Sequence, residues 1–410
     1  MFKSSKFQGS KSKKKGNIWQ LFRATNFESL MYPCFTFCRI LGIFPYNINA
    51  FNIKTCKPCY ILSIIIICVF CICELISLYE INISNYVKQQ TRSLQVNCFY
   101  IFGGFIPVVT FILSKPRMRL IQTILKVSLR LPSESYQNQS KLIHAKDIIG
   151  PVLIVVEELI LFSTLQSSVL QRILTTYIIL VTFQMDMLYM NCVCVIKACF
   201  KQINDNLMNL VELVTNDEPY IFRGIYNNKK NPLVLMALEA LKKQHLVISD
   251  TVQELNMIFS LQLLLTAIHT FVEVTFILYF YLMRWKIGMV LFSSNEKIYD
   301  MFLIVATIYY SIKMGLIIWA CETSKNQAIE INTTVHSVLN SISDKQIKRE
   351  LQLFSLQLMH RKNIFSTKWF NMDGMFLTAM VGSIAKKLLI LIEFLFIMSN
   401  SCSGNSIINS

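Results

Sequence analysis

Three ionisable residues stand where a lipid-facing helix carries none. Lys386, Lys387 and Glu393 interrupt the last apolar run of the chain, 388–392 and 394–397. An ionisable side chain at bilayer depth costs about 2.5 to 3.5 kcal/mol on insertion scales, so it faces protein or water. Helical spacing of i, i+4, i+7 and i+11 puts Lys386, Ile390, Glu393 and Ile397 on one stripe, the pattern of a lining for water or ions. Two other readings stay open: the lysines reach out to a nearby membrane surface, or Lys386 neutralises Glu393.

Other apolar runs carry polar and aromatic groups able to hold a small molecule. His269 and Glu273 lie four apart on one face, Gln184 and Asp186 share a run, and Tyr309, Tyr310, Lys313 and Trp319 share another. The competing reading pairs Lys313 with a carboxylate on a neighbouring helix and makes the Tyr and Trp residues interface anchors. Cys56-Lys57-Pro58-Cys59 has the spacing of a metal pair, but no second Cys or His pair completes a site. Asn82-Ile83-Ser84 is a glycosylation sequon close to a span. No phosphate loop, histidine box or nucleophile elbow occurs, so catalytic residues, metals and cofactors are not expected and the chain does not read as an enzyme.

Composition supplies the elements that position these groups. The chain has 410 residues, 53% hydrophobic and only 16% charged, with a mean hydropathy of +0.46. A soluble chain carries nearer a quarter charged residues. Seven apolar spans follow, at 58–80, 95–113, 148–166, 173–200, 256–283, 299–321 and 373–398, the third weakened by Glu157 and Glu158. The expected fold is all-α, a polytopic membrane protein with seven transmembrane helices. Lys and Arg number 30 in the loops on the N-terminal side and 6 on the other, and positive residues stay inside. The N-terminus is therefore expected in the cytoplasm and the C-terminus outside. A G-protein-coupled receptor is oriented the other way, and its Asp-Arg-Tyr and Asn-Pro-x-x-Tyr motifs are missing here. The net charge of +16 belongs to this loop pattern and not to nucleic-acid binding. The lysine-rich start lacks the apolar core and cleavage site of a secretory signal. Most of the cysteines lie in or beside spans and read as small apolar side chains.

The inside segments 201–255 and 322–372 have helical periodicity. Leu235, Leu238, Leu241, Leu246, Ile248, Val252 and Leu255 form one apolar series, and Ile347, Leu351, Phe354 and Leu358 another. Spans four, five and six are thus expected to run past the membrane and pack as a cytoplasmic bundle. Helices lying flat on the membrane are the alternative.

The aliphatic string 388–392 followed by Glu393-Phe394, with Gly382 before it and 365–373 (Phe-Ser-Thr-Lys-Trp-Phe-Asn-Met-Asp) upstream, resembles the insect gustatory receptor family. That family's last span ends in Thr-Tyr, five mostly aliphatic residues and Gln-Phe. Here Lys386 and Lys387 replace the Thr and Tyr, and Glu393 the Gln, which marks a divergent member. Asp373 and Gly382 match the family's Asp and Gly, and the segment 353–361 is also typical. The resemblance implies a ligand-gated, non-selective cation channel in the plasma membrane of gustatory receptor neurons. Its subunits form a homo- or hetero-tetramer with other gustatory receptor subunits, the seventh span of each around a central pore. Implied partners are membrane lipid, permeant cations and a small-molecule tastant. Leu388 stands where the sugar branch commonly has an acidic residue, so a bitter plant compound is expected. Sugar sensing, or a non-channel transporter or accessory protein, is the alternative.

On this reading Lys386, Leu389, Ile390, Glu393, Phe394 and Ile397 line the pore, with Glu393 in an acidic ring. Gln184, Asp186, His269, Glu273, Tyr309, Tyr310, Lys313 and Trp319 are the ligand candidates, and Asn82 the glycosylation candidate. The division is a cytoplasmic segment 1–57 and a six-span sensing domain 58–321 with its extension 201–255. The anchor helix and pore span follow at 322–398, then an extracellular tail at 399–410. Lys386 and Lys387 would oppose cation flow unless they sit in a wide vestibule, so conduction by four identical copies stays open.

Overall fold

A lipid layer offers the backbone no hydrogen-bond partners, so apolar runs must fold as helices. The computed structural model describes residues 22–49, 52–84, 90–164, 168–215, 227–287, 294–342 and 344–407. The expected spans lie in α2 (Lys57–Ser84), α3 (Gln90–Ile112), α5 (Ser133–Thr164), α6 (Val169–Thr215), α7 (Asn227–Ile287), α8 (Ser294–Ser341) and α10 (Gly374–Ile407). Among the described residues six of these, all but α5, are long and apolar enough to cross a membrane. The side chains of 160–166, in the third expected span, lie outside the described set.

Three helices far exceed a bilayer. α6, α7 and α8 have 47, 61 and 48 residues, about 70, 90 and 70 Å against a hydrocarbon layer of about 30 Å. Beyond the apolar layer their amphipathic faces close on one another. Leu238, Leu241, Ile248, Val252 and Leu255 of α7 are buried, as are Ile347, Leu351 and Phe354 of α9 (Lys345–His360), which packs against α7 and α8. A helix flat on a membrane would turn these faces to lipid, so the bundle is the arrangement adopted. Asp344 starts α9 by accepting from the Gln346 and Ile347 N–H groups at 2.7 and 3.2 Å. His245 is sealed inside between Phe200 and Phe354, its Nδ1 3.1 Å from Gln357 Nε2.

α6 is the hub. It touches α1 (Phe27–Ile40), α2, α3, α4 (Ser114–Ser128), α5, α7 and α8, and every residue from 181 to 196 is buried. α10 stands apart, and among the described residues it leans mainly on α7 and α8. The link before it is tied to α7: Asn256 donates to Ile364 O at 2.7 Å and Ser260 Oγ accepts from the Lys368 N–H at 2.9 Å.

Some elements depart from the sequence reading. A hairpin, β1 (Tyr46–Asn49) and β2 (Asn52–Thr55), pairs Tyr46 with Thr55 and Asn49 with Asn52, so the fold is nearly but not wholly helical. Helices α1 and α4 fill stretches expected as loops, because each has a buried apolar face. α10 continues to Ile407 through most of the expected tail 399–410, since no proline or glycine pair stops it.

Candidate functional site

α7 presents Gln262, Thr266, His269 and Glu273 at i, i+4, i+7 and i+11, and all four are buried inside the bundle. At the first level, Thr266 Oγ1 donates to Asp186 Oδ1 of α6 at 3.0 Å. Lys313 Nζ of α8 lies 3.3 Å from Asp186 Oδ2, with the two side chains 1% and 0% exposed. That approach is an ion pair without the angle of a directed hydrogen bond. The same ammonium sits 5.7 and 5.3 Å from the ring centroids of Tyr309 and Tyr310, close enough for cation–π attraction. Arg117 of α4, also buried, donates to Gln262 Oε1 at 2.5 Å and lies 5.0 Å over the Phe259 ring.

One turn further along α7, His269 is flanked by Phe99 of α3 and Tyr310, with ring centroids 5.2 and 5.9 Å away. Glu273 Oε2 accepts from Gln95 Nε2 at 3.1 Å, while Oε1 has no hydrogen-bond partner among the described residues. Gly103 brings α3 this close, for a Cβ there would sit 2.7 Å from Ile178 Cγ2 and 3.3 Å from His269 Cε1. Two cations, Arg117 and Lys313, thus share the interior with two carboxylates, Asp186 and Glu273. Buried charges cost several kcal/mol each unless compensated, and Asp186 and Lys313 compensate one another.

Six sequence candidates therefore meet: Asp186, His269, Glu273, Tyr309, Tyr310 and Lys313. Two do not. Gln184 is two positions from Asp186, about 200° around the helix, and donates instead to Cys34 O of α1 at 3.1 Å. Trp319 is 45% exposed on the outer face of α8, with Lys197 Nζ 5.2 Å from its ring, as suits an anchor better than a binding group. Sequence reasoning missed Gln262, Thr266, Arg117 and Gln95. The first two were visible as the α7 polar stripe, whereas Arg117 and Gln95 sit outside any stripe. Asn82 is exposed on α2, its amide donating to Leu78 O and accepting from Asn97, both at 2.9 Å.

α10 starts on Asp373, whose Oδ1 accepts from the Phe376 N–H at 3.0 Å. Met380 and Ile384 are buried and Leu388 partly so, an i, i+4, i+8 row turned toward α7 and α8. Lys386 lies about 200° from Ile384 around the helix, and Lys386, Lys387, Leu389, Ile390 and Glu393 are exposed. Among the described residues no ion pair joins Lys386, Lys387 or Glu393 to another side chain. The side chains of Phe394 and Ile397 lie outside the described set.

Known proteins share this architecture. The olfactory receptor OR5 of the insect Machilis hrabei superposes with a TM-score of 0.64 at 13% identity, over 89% of this chain and 97% of that one. The same receptor in complex with eugenol gives 0.63 at 12% identity over the same shares. At such identity the likeness is one of fold. In sequence, the chain is 28% identical over 164 residues to the Drosophila melanogaster protein "Putative gustatory receptor 28b", a match covering 39% of this chain and 35% of that relative. The aligned stretch is thus about a third of the relative's length. The model of the 7tm chemosensory receptor family matches residues 31–396, nearly the whole chain, and the protein belongs to that family.

Proposed function

We propose that the protein is a subunit of a ligand-gated, non-selective cation channel that detects a tastant, a bitter plant compound. The carrying observation is α10: an apolar helix with one face on its own subunit and its charged face, Lys386 to Glu393, uncovered. Such charges on a lipid-facing side would each cost about 2.5 to 3.5 kcal/mol. A tetramer with α10 of each subunit around a central axis turns that face to water instead. Glu393, four times repeated, then forms an acidic ring that draws cations and repels anions. Lys386 and Lys387 lie about 10 Å along the helix from it, in a wider vestibule. In this reading 58–321 senses the ligand, 322–398 anchors and lines the pore, and the N-terminus is cytoplasmic.

The polar and aromatic interior at Asp186, Lys313, Tyr309, Tyr310, His269 and Glu273 is the proposed ligand region. The binding of eugenol by the similarly folded OR5 supports a small organic molecule as its class. Calcium imaging of cells expressing the chain, alone and with other gustatory receptor subunits, against plant alkaloids, glycosides and sugars tests the reading. A current or calcium rise that follows the permeant cation is expected. A response surviving removal of permeant cations would sink the channel, and activation by sugars alone would favour the sugar-sensing alternative.

A further inference from the structure

The turn into α2 holds a pair of cysteines that the receptor reading leaves unused. Cys56 precedes the helix and Cys59 lies in its first turn, with Lys57 and Pro58 between. Both are free and partly exposed, and their sulfurs are 2.7 Å apart. A disulfide bond is about 2.05 Å long, so closing one here needs a shift of less than about 1 Å. Pro58 sits where a helix has no use for a backbone N–H, and it stiffens the turn.

The surroundings distinguish the two thiols. Cys59 donates its S–H toward Cys56 Sγ. That contact, the Cys59 backbone N–H and then the Arg39 guanidinium hold the Cys56 thiol below its usual value. Arg39 is fixed in turn, its Nε and Nη2 donating to Tyr46 O at 3.2 and 3.0 Å. The Cys56 N–H donates to Pro45 O at 3.1 Å, so α1, the hairpin and α2 converge on the pair. Among the described residues no group of three His, Cys, Asp or Glu side chains completes a metal site.

We propose that Cys56 and Cys59 are a reversible dithiol–disulfide switch at the entry to α2, oxidised by low-molecular-weight disulfides. The Cys56 thiolate attacks one sulfur of R–S–S–R, forming a Cys56–S–S–R bond and expelling RS⁻, which takes up the proton Cys56 released. Cys59, deprotonated in turn, attacks the Cys56 sulfur and expels the second RS⁻, which takes up its proton. One disulfide forms in the protein and two RSH leave with the two electrons. The lysine-rich side on which the pair is expected is the cytoplasm, whose thiol pool keeps it reduced until an oxidant arrives.

The full chain in isolated membranes, equilibrated with graded ratios of reduced to oxidised glutathione, quenched with an alkylating reagent and mapped by peptide mass spectrometry, tests this. The Cys56–Cys59 peptide should lose two hydrogens in a single two-electron transition while the buried Cys192, Cys194 and Cys199 stay thiols. Cys59→Ser should halt the sequence midway, with a glutathione adduct on Cys56 roughly tenfold above that on Cys59 in Cys56→Ser. A pair that stays alkylatable at every ratio overturns the proposal. So does one bonded even in fully reduced buffer, one carrying a fatty acyl thioester, or an adduct preference for Cys59. The titration of the unmodified chain decides even if neither variant folds, and it needs no tastant.

Discussion

Among single residues, Asp186 and Lys313 set the character of the interior, because each is almost fully removed from solvent and each is the other's counter-charge. Asp186→Asn leaves an ammonium unpaired among tyrosines, which costs about 3 to 5 kcal/mol. Surface expression and melting temperature in detergent should both fall. Asp186→Leu with Lys313→Met removes both charges, and expression should return to near the parent level. If the restored variant still responds to the parent's tastant, the pair is structural and the ligand lies elsewhere. The pairing of Lys313 with a carboxylate was one of the readings its sequence position allowed, but the partner was not identifiable. Which helix faces which is set by packing between distant segments, and Arg117 shows the limit. A basic residue in an expected loop gives no sign that α4 carries it inward to Gln262. Gln184 and Trp319 lie apart from the cluster for the opposite reason, since their chemistry fits a site but their turn of helix points away from it.

Among elements, periodicity was the dependable signal. The α7 and α9 series chosen from spacing are the rows that bury against each other, because an amphipathic face of that length must find cover. The hairpin was not legible, for two four-residue strands beside a span carry no pattern long enough to register. The bundle these helices form has a built-in pH dependence. Burial, and then the charge of Arg361, lower His245 from its usual 6.5 to about 4. Its neutral form is therefore the folded one, and unfolding takes up a proton at any pH between those values. Stability is complete above about pH 6.5 and is lost as pH falls toward 4. The loss amounts to about 2 kcal/mol between pH 7 and 5. Thermal melts at the two pH values should show a fall that shrinks in His245→Asn. His144, lowered by its own burial, adds in the same direction. At the other helix end, Asp373→Ala removes the cap of α10 and should cost about 1 kcal/mol, read as faster hydrogen exchange in its first turn only.

For the molecule as a whole, the decisive contrast is between α6, buried from 181 to 196, and α10, whose face carrying Lys386, Leu389, Ile390 and Glu393 is exposed. A subunit with so bare a helix is expected to associate. Cysteine pairs placed at Leu389 should cross-link between subunits and leave Trp319 replacements uncoupled; a monomer by native mass spectrometry would count against the pore. Glu393→Gln should then lower divalent relative to monovalent permeation, seen as a shift in reversal potential on ion substitution. Asn256 and Ser260 hold the link to α10, and Gln262 opens the polar stripe less than one helical turn away on the same α7. The proposed ligand region and the foot of α10 are thus two fittings on a single rod. A molecule that nudges α7 by an ångström moves both together, with no relay of intermediate parts in which the message could fade.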